Sequence, residues 1–225
     1  MKVAEEHHLA YHMTEGNSCY RGGKPGMSNA LAAALWGADY ALLLASLGCV
    51  GVNFHGGDSH FLSAGLGDHN PGLQAAGVGK QAVANGFYTA IESEQGRPVS
   101  ARPLFYGMLL AQQFAGATML PVSFHPSGNL TAYAGRKGDR QMVALFNKEA
   151  QGTASVTVQA DKRLNQASCW RLTGPALDAT SGITLGGAAV ADDGSWTPHA
   201  EQVAVRPSAV TVTLAAASAM LLFFE

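Results

Sequence analysis

The sequence predicts an α/β segment over residues 1–122 followed by an all-β segment over residues 123–225 with the pattern of an antiparallel sandwich. Three observations carry this expectation. A strand, a long helix and a second strand follow one another between Leu9 and Phe54. A second helix, opened by Pro103, comes after a long connection rich in Gly and Ala. From Leu130 onward, short β-prone runs recur about every ten residues with turn signals between them.

Leu9 to Thr14 places Leu9, Tyr11 and Met13 at alternating positions, which suits a short strand, and Gly16-Asn17-Ser18 turns the chain after it. Glu15 therefore sits where a strand ends, the place where barrel enzymes keep catalytic groups, although a single Glu is more often a solvated surface charge. Ser28 has the chemistry of a helix N-cap. From Asn29 to Leu47, Leu31, Leu35, Ala38, Leu42 and Ala45 fall at steps of three and four, and Gly48 is placed to close the helix. Cys49 to Phe54 is almost wholly apolar, as in a strand buried on both faces of a parallel sheet. Asp58 to Glu94 has no clean period at first and has the length of a functional rim or lid. Tyr88 to Ile91 closes it, Arg97-Pro98 reads as a turn, and Arg102 to Phe114 reads as the second helix. The β runs are Leu130–Ala134, Gln141–Asn147, Ala154–Val158, Ser168–Leu172, Val203–Val205, Val210–Leu214 and Ala219–Phe223, with turns at Gly138-Asp139, Asn165-Gln166 and Asp193-Gly194.

With 47% hydrophobic residues among 225, the chain has ample material for a core. Only 13% of residues are charged, about half of the usual ~25%, and 14 Lys+Arg against 16 Asp+Glu leave a net charge of −2. No basic run points to nucleic acid or to an anionic membrane as a partner. Cys19, Cys49 and Cys169 are too widely spaced for a zinc knuckle and odd in number for a disulfide framework. Met1 to His8 lacks the apolar core of a signal peptide, and no run reaches the ~20 apolar residues of a membrane span, so localisation stays open.

The ordered series Thr14-Glu15-Gly16-Asn17-Ser18-Cys19-Tyr20, Gly22-Gly23, Ser28, Ala34-Leu35-Trp36, Asp39-Tyr40, Ala45-Ser46-Leu47-Gly48 and Gly51 to Gly57 resembles the carboxyl-terminal half of glycoside hydrolase family 79, the β-glucuronidases related to heparanase. The resemblance continues through Arg102 to Met108 and Leu120-Pro121-Val122, and then through Asn147-Lys148, Arg171 to Pro175, Gly186-Gly187-Ala188 and Asp193 to Pro198. It implies a retaining glycosidase built from a (β/α)8 barrel and a β-sandwich. Residues 1–122 would supply about strands seven and eight with their helices, and 123–225 the sandwich. Glu15 matches the family's nucleophile. Tyr20 matches a hydrogen-bond donor to the substrate carboxylate, Asn17 and Ser18 line the same floor, and His55-Gly56-Gly57 shapes the glucuronate pocket, with Tyr88 a candidate second tyrosine. The implied partner is a glucuronide or another carbohydrate. The resemblance implies no cofactor and no metal.

In the family the acid/base is a Glu after an Asn, and this sequence contains no Asn-Glu pair; Glu92, Glu94 and Glu149 lack that context. A closed barrel needs eight strands in ~250 residues. The expectation is therefore a carboxyl-terminal portion of a longer enzyme, inactive alone, which needs the amino-terminal barrel half in the same or a separate chain and which exposes Val50, Val52 and Phe54. Full-length family members are often exported. Two other readings are a non-catalytic sandwich that binds carbohydrate or stabilises a partner, and a retaining exo-glycosidase for a neutral sugar. His55, Asp58, His60, Asp68 and His69 fit no ordered metal motif. Trp36 and Trp170 read as core, and Trp196, after a turn, is the more plausible sugar contact.

Overall fold

The computed structural model describes residues 2–19, 22–57, 86–94, 97–160 and 162–224. In chain order the elements are α1 (Lys2–Glu6), β1 (Met13–Gly16), α2 (Leu31–Ser46), β2 (Val52–Phe54), β3 (Ile91–Glu94), β4 (Arg97–Ala101), α3 (Pro103–Gln112), β5 (Thr118–Leu120), β6 (Leu130–Lys137), β7 (Arg140–Asn147), β8 (Ala154–Gln159), β9 (Ala167–Thr173), β10 (Thr184–Leu185), β11 (Glu201–Val203), β12 (Val205–Arg206), β13 (Ala209–Leu214) and β14 (Ser218–Phe224).

The expected crossover unit is present: β1 and β2 pair in parallel, Met13 opposite Val52 and Gly16 opposite Phe54, with α2 between them in the chain. The largest sheet runs β10-β9-β14-β7-β6-β5, with β11 also on β9, and a three-stranded sheet runs β12-β13-β8. β14 lies between β7 and β9 and is buried along its whole length, because both its faces are covered. Met220, Leu222 and Phe224 meet Val156, Val210, Val212 and Leu214 of the three-stranded sheet. Ala219, Leu221 and Phe223 belong instead to a core with Leu31, Leu35 and Leu42 of α2 and with Tyr106, Leu110 and Phe114 of and just beyond α3. Helices, large sheet and small sheet thus form three successive layers joined through two cores.

α2 is held from both sides. Asp39 accepts hydrogen bonds from Thr131 (2.5 Å) and Tyr133 (2.8 Å), and Lys148 Nζ lies 2.7 Å from its other oxygen. On the side of the parallel pair, Trp36 stacks on Tyr40 and meets Phe54 edge-on.

The structure corrects several local expectations. Ser28 does not cap α2: the N-cap is Ala30, without a side-chain bond, and the amides of Leu31 and Ala32 donate to the carbonyls of Ala179 and Leu177. Backbone carbonyls of another loop satisfy the helix start, which leaves the Ser28 hydroxyl available elsewhere. Arg97-Pro98 is no turn but the start of β4, antiparallel to β3 with an irregular register after Glu92. A two-stranded hairpin is all edge, so a proline need not break its ladder. Val203 and Val205 belong to different sheets, since β11 pairs β9 and β12 pairs β13. Of the residues expected to be exposed, Val50 is (68%), whereas Val52 and Phe54 are half-buried.

Candidate active site

The strand ends of the parallel pair meet at the Glu15 turn. The amide of His55, one residue past β2, donates to the carbonyl of Gly16 at 3.0 Å, which fixes the start of the His55-Gly56-Gly57 turn beside Glu15. Gly16 packs on the ring of Tyr40, where a Cβ would stand 3.3 Å from the ring edge. The Glu15 side chain is exposed.

Asn17 joins three segments. Its Nδ2 donates to the carbonyl of His55 at 2.6 Å and reaches that of Tyr88 at 3.3 Å, while its Oδ1 accepts from the amide of Ser18 at 2.8 Å. The Ser18 and Ser28 hydroxyls lie 2.9 Å apart, and Ser28 also accepts from the amide of Lys24 at 2.9 Å. Buried Ser28 therefore braces the loop after Glu15 rather than the helix it precedes. Next to it, Gly23 adopts φ +95, and a Cβ there would stand 2.9 Å from the amide nitrogen of Tyr88. The Tyr88 amide in turn donates to the carbonyl of Gly22.

Tyr88 is 3% exposed, and its hydroxyl lies 2.7 Å from His55 Nδ1, the two rings perpendicular. Burial pushes the phenol above its ordinary range; the backbone contact with Gly22 works against this, and the negative charge of Glu15 adds to it. Tyr88 thus feels the Glu15 carboxylate through space and is held as a neutral hydroxyl. Its loop is anchored from behind by Arg102, whose guanidinium donates to the Gly86 carbonyl at 2.8 Å and to Glu92 at 2.7 Å, with Ser100 also on Glu92. That support was not foreseen from the sequence. The one hint available was an arginine directly before the proline that opens α3.

Glu15, Asn17, Ser18, His55 and Tyr88 are thus gathered in one place, with Gly56 alongside, packed on Thr89, and Gly57 exposed at the turn. Tyr20 lies outside the described residues, as do Asp58, His60, Asp68 and His69. Among the described residues no group of three His, Cys, Asp or Glu is placed to hold a metal ion. Glu149 accepts from the amide of Asn129 at 2.7 Å. Trp196, the proposed sugar contact, is half-buried, packs edge-on against Trp170 and donates to the Leu185 carbonyl at 3.1 Å.

The layered β part decides the relationship: residues 132–221 match the model of the glycosyl hydrolase family 79 C-terminal beta domain. Over these residues the chain is similar to that domain. The chain is also similar to a beta-glucuronidase of Neurospora crassa, 48% identical over 46 residues, which are 20% of this chain and 8% of that protein. Among solved structures, a 4-O-alpha-L-rhamnosyl-beta-D-glucuronidase from Fusarium oxysporum 12S superposes with a TM-score of 0.69 at 20% identity, over 98% of this chain and 45% of that one. A GH51 arabinofuranosidase from Xanthomonas axonopodis pv. citri gives 0.66 at 19% identity, over 100% of this chain and 43% of that one. At such identities the likeness is one of fold. The chain spans less than half the length of these two structures.

Proposed function

We propose that this chain is the carboxyl-terminal part of a retaining β-glucuronidase, in which residues 1–122 complete a (β/α)8 barrel and residues 123–225 form its β-sandwich. One observation carries the reading. A carboxylate ends a parallel strand beside a loop that Asn17 ties to the buried Tyr88, whose hydroxyl lies 2.7 Å from His55 Nδ1. Glu15 would attack the anomeric carbon as the glycosidic C–O bond breaks, and the departing oxygen would take a proton from a second carboxyl ~5 Å away. Water would then add to the anomeric carbon with that second group as base, releasing the sugar and returning Glu15 as carboxylate. Tyr88 and Tyr20 would donate to the sugar's own carboxylate, and the Gly56-Gly57 backbone would close the pocket. Asn17 and Ser18 would line its floor while holding the segments together.

The proposed partner is the rest of the barrel. A two-stranded parallel sheet is too small to stand alone. Beside β2 lies an apolar groove of about 650 Å³, lined by Leu42, Val50, Val52, Phe114 and Met119 among others, where neighbouring barrel elements would pack. Without them the general acid is missing, so this chain alone is expected to hydrolyse nothing measurable.

The test is hydrolysis of an aryl β-glucuronide against an aryl β-glucoside by the chain alone and together with the amino-terminal barrel half. Turnover of the glucuronide that needs both halves supports the reading, and faster cleavage of the glucoside overturns it in favour of a neutral-sugar enzyme. A fluorinated glucuronide is expected to leave its covalent adduct on Glu15; label on any other carboxylate removes Glu15 from the role.

A further inference from the structure

Five of the chain's 14 Lys+Arg residues are gathered at one end of the large sheet: Arg136, Lys137 and Arg140 at the β6–β7 hairpin, and Lys162 and Arg163 before β9. The strand alternation sorts them. Lys137 pairs in register with Arg140, and both point to the helix layer, where Lys137 Nζ donates to the Ala115 carbonyl at 2.8 Å and the Arg140 guanidinium sits 3.9 Å over the Phe223 ring. Arg136 faces the opposite way. It lines a cavity of about 150 Å³ with Lys162, Arg163, Gln141, Asp139, Gly138, Leu164 and Phe224.

Three features set this surface cavity apart. The ion pairs among the described residues, Arg102–Glu92, Lys148–Asp39 and Arg171–Glu201, use none of its three cations. Among the described residues Asp139 is the acid that lines it, against three cations; Asp161 and Glu225 lie outside the described residues. Its floor is apolar, because Leu164 and Phe224 are both buried in the core between the two sheets, and a charge held there is screened less than in open water. At ~30 Å³ per water, the volume holds about five waters. That suits one carboxylate or sulfate with residual hydration. Arg136 and Arg163 offer planar forks that match such a group with two hydrogen bonds each.

We propose that this cavity is a second carbohydrate site, which binds one anionic group, a uronate carboxylate or a sulfate ester, of an acidic glycan. None of the residues gathered around Glu15 lines it. It would hold a polymeric acidic substrate by a group away from the bond being cleaved. The choice of a glycan as the anion's carrier rests on the proposed glycosidase reading, whereas the cationic cavity itself does not.

Binding of the intact chain to an oligoglucuronate, a sulfated oligosaccharide, a neutral cello-oligosaccharide and a single-stranded oligonucleotide tests this by calorimetry. The variants are Arg136→Ser/Lys162→Ser/Arg163→Ser and Glu15→Gln. All three patch residues are exposed, so the triple variant should keep its fold, with circular dichroism as the check. Expected are binding of one or both acidic glycans, none of the neutral one, and a loss of about tenfold or more in the triple variant. A similar loss is expected between 0.1 and 1 M salt, as the Debye length falls from ~10 to ~3 Å. The preferred glycan tells carboxylate from sulfate. No binding, equal binding by the triple variant, equal binding of the oligonucleotide, or a loss that follows Glu15→Gln instead overturns the site. If glucuronide cleavage fails while patch-dependent glycan binding persists, the catalytic reading falls and this one stands.

Discussion

Replacing Gly107 by alanine probes how closely α2 and α3 cross. A Cβ at Gly107 would stand 2.2 Å from the carbonyl oxygen of Ala34, 3.0 Å from its carbon and 3.1 Å from the amide nitrogen of Ala38. Close carbon-to-carbonyl contacts begin near ~3.3 Å, so the helices must separate by about 1 Å. Backbone meets backbone here, so no rotamer change relieves the overlap. α2 has little room to retreat, because its first amides are tied to Ala179 and Leu177 and its Asp39 to β6 and Lys148. Overpacking costs about 1–3 kcal/mol or more, while alanine in a helix gains about 1 kcal/mol over glycine. The overlap belongs at the upper end of that range, which leaves a net loss of about 2 kcal/mol, or a fall of ~4–8 °C in Tm for a chain of this size. Gly37 is the internal comparison: its Cβ would meet Leu104 Cδ1 at 2.4 Å, the tip of a side chain that can turn away. Gly37→Ala should therefore cost less than Gly107→Ala. Urea unfolding followed by the fluorescence of Trp36, Trp170 and Trp196 measures both. The reasoning is refuted if Gly107→Ala is as stable as the wild type, or if Gly37→Ala is the more damaging.

Three further outcomes are expected. Asp39→Asn weakens the contacts with Thr131, Tyr133 and Lys148 and should cost about 1–3 kcal/mol, read from the urea midpoint; an unchanged midpoint means the network holds nothing. The hydrogen bond from Arg102, and with it that from Ser100, holds the Glu92 carboxyl below the usual carboxylate range despite a partial cost of burial. A depressed folded value contributes stability above about pH 4.3 that is lost as pH falls through the folded value. The gap between wild type and Glu92→Gln should therefore shrink on acidification from about pH 6 to about pH 3; the size is small, since Glu92 is 44% exposed and its pair is screened by solvent. Tyr133 runs the other way: burial first, then the charge and hydrogen bond of Asp39, push its phenol above the usual range. Its contribution is complete below about pH 10 and declines as pH rises further, because the unfolded chain ionises first. Urea midpoints between about pH 9 and about pH 11 should fall more steeply for the wild type than for Tyr133→Phe; parallel curves would remove Tyr133 as the cause.

Much of the β part was legible because its strands carry their own signals. Gln141 to Asn147 and Val210 to Leu214 are β-branched or apolar runs bounded by turn residues, and β7 and β13 lie there. The hairpin β3–β4 was not, since Pro98 reads as a break in any window that ignores which neighbours a strand lacks. Ser28 misled for a related reason: a hydroxyl before an apolar-periodic run signals a cap, but local sequence does not show that the carbonyls of Leu177 and Ala179, far along the chain, reach the helix first. The site divides in the same way. Glu15, Asn17 and Ser18 stand in one short motif, whereas Tyr88 lies 71 positions beyond Asn17, and only the fold joins its carbonyl to the Asn17 amide.

The least expected feature, the helices packed on the large sheet, had a sequence signal of its own. A sandwich strand with one wet face alternates apolar and polar residues, as β8 and β13 do in their burial. Ala219 to Phe223 does not alternate at all. An unbroken apolar run in an antiparallel sheet requires cover on both sides, and α2 and α3 are what the chain has to offer for the second side. The same logic runs back to the site. α2 rests on the sheet through Leu31, Leu35 and Asp39, and the parallel pair that carries Glu15 and His55 rests on α2 through Trp36, Tyr40 and Phe54. The layered β part is thus the platform on which the strand end that presents Glu15 is set, so substitutions in β14 should disturb the geometry around Glu15 through α2 without touching it.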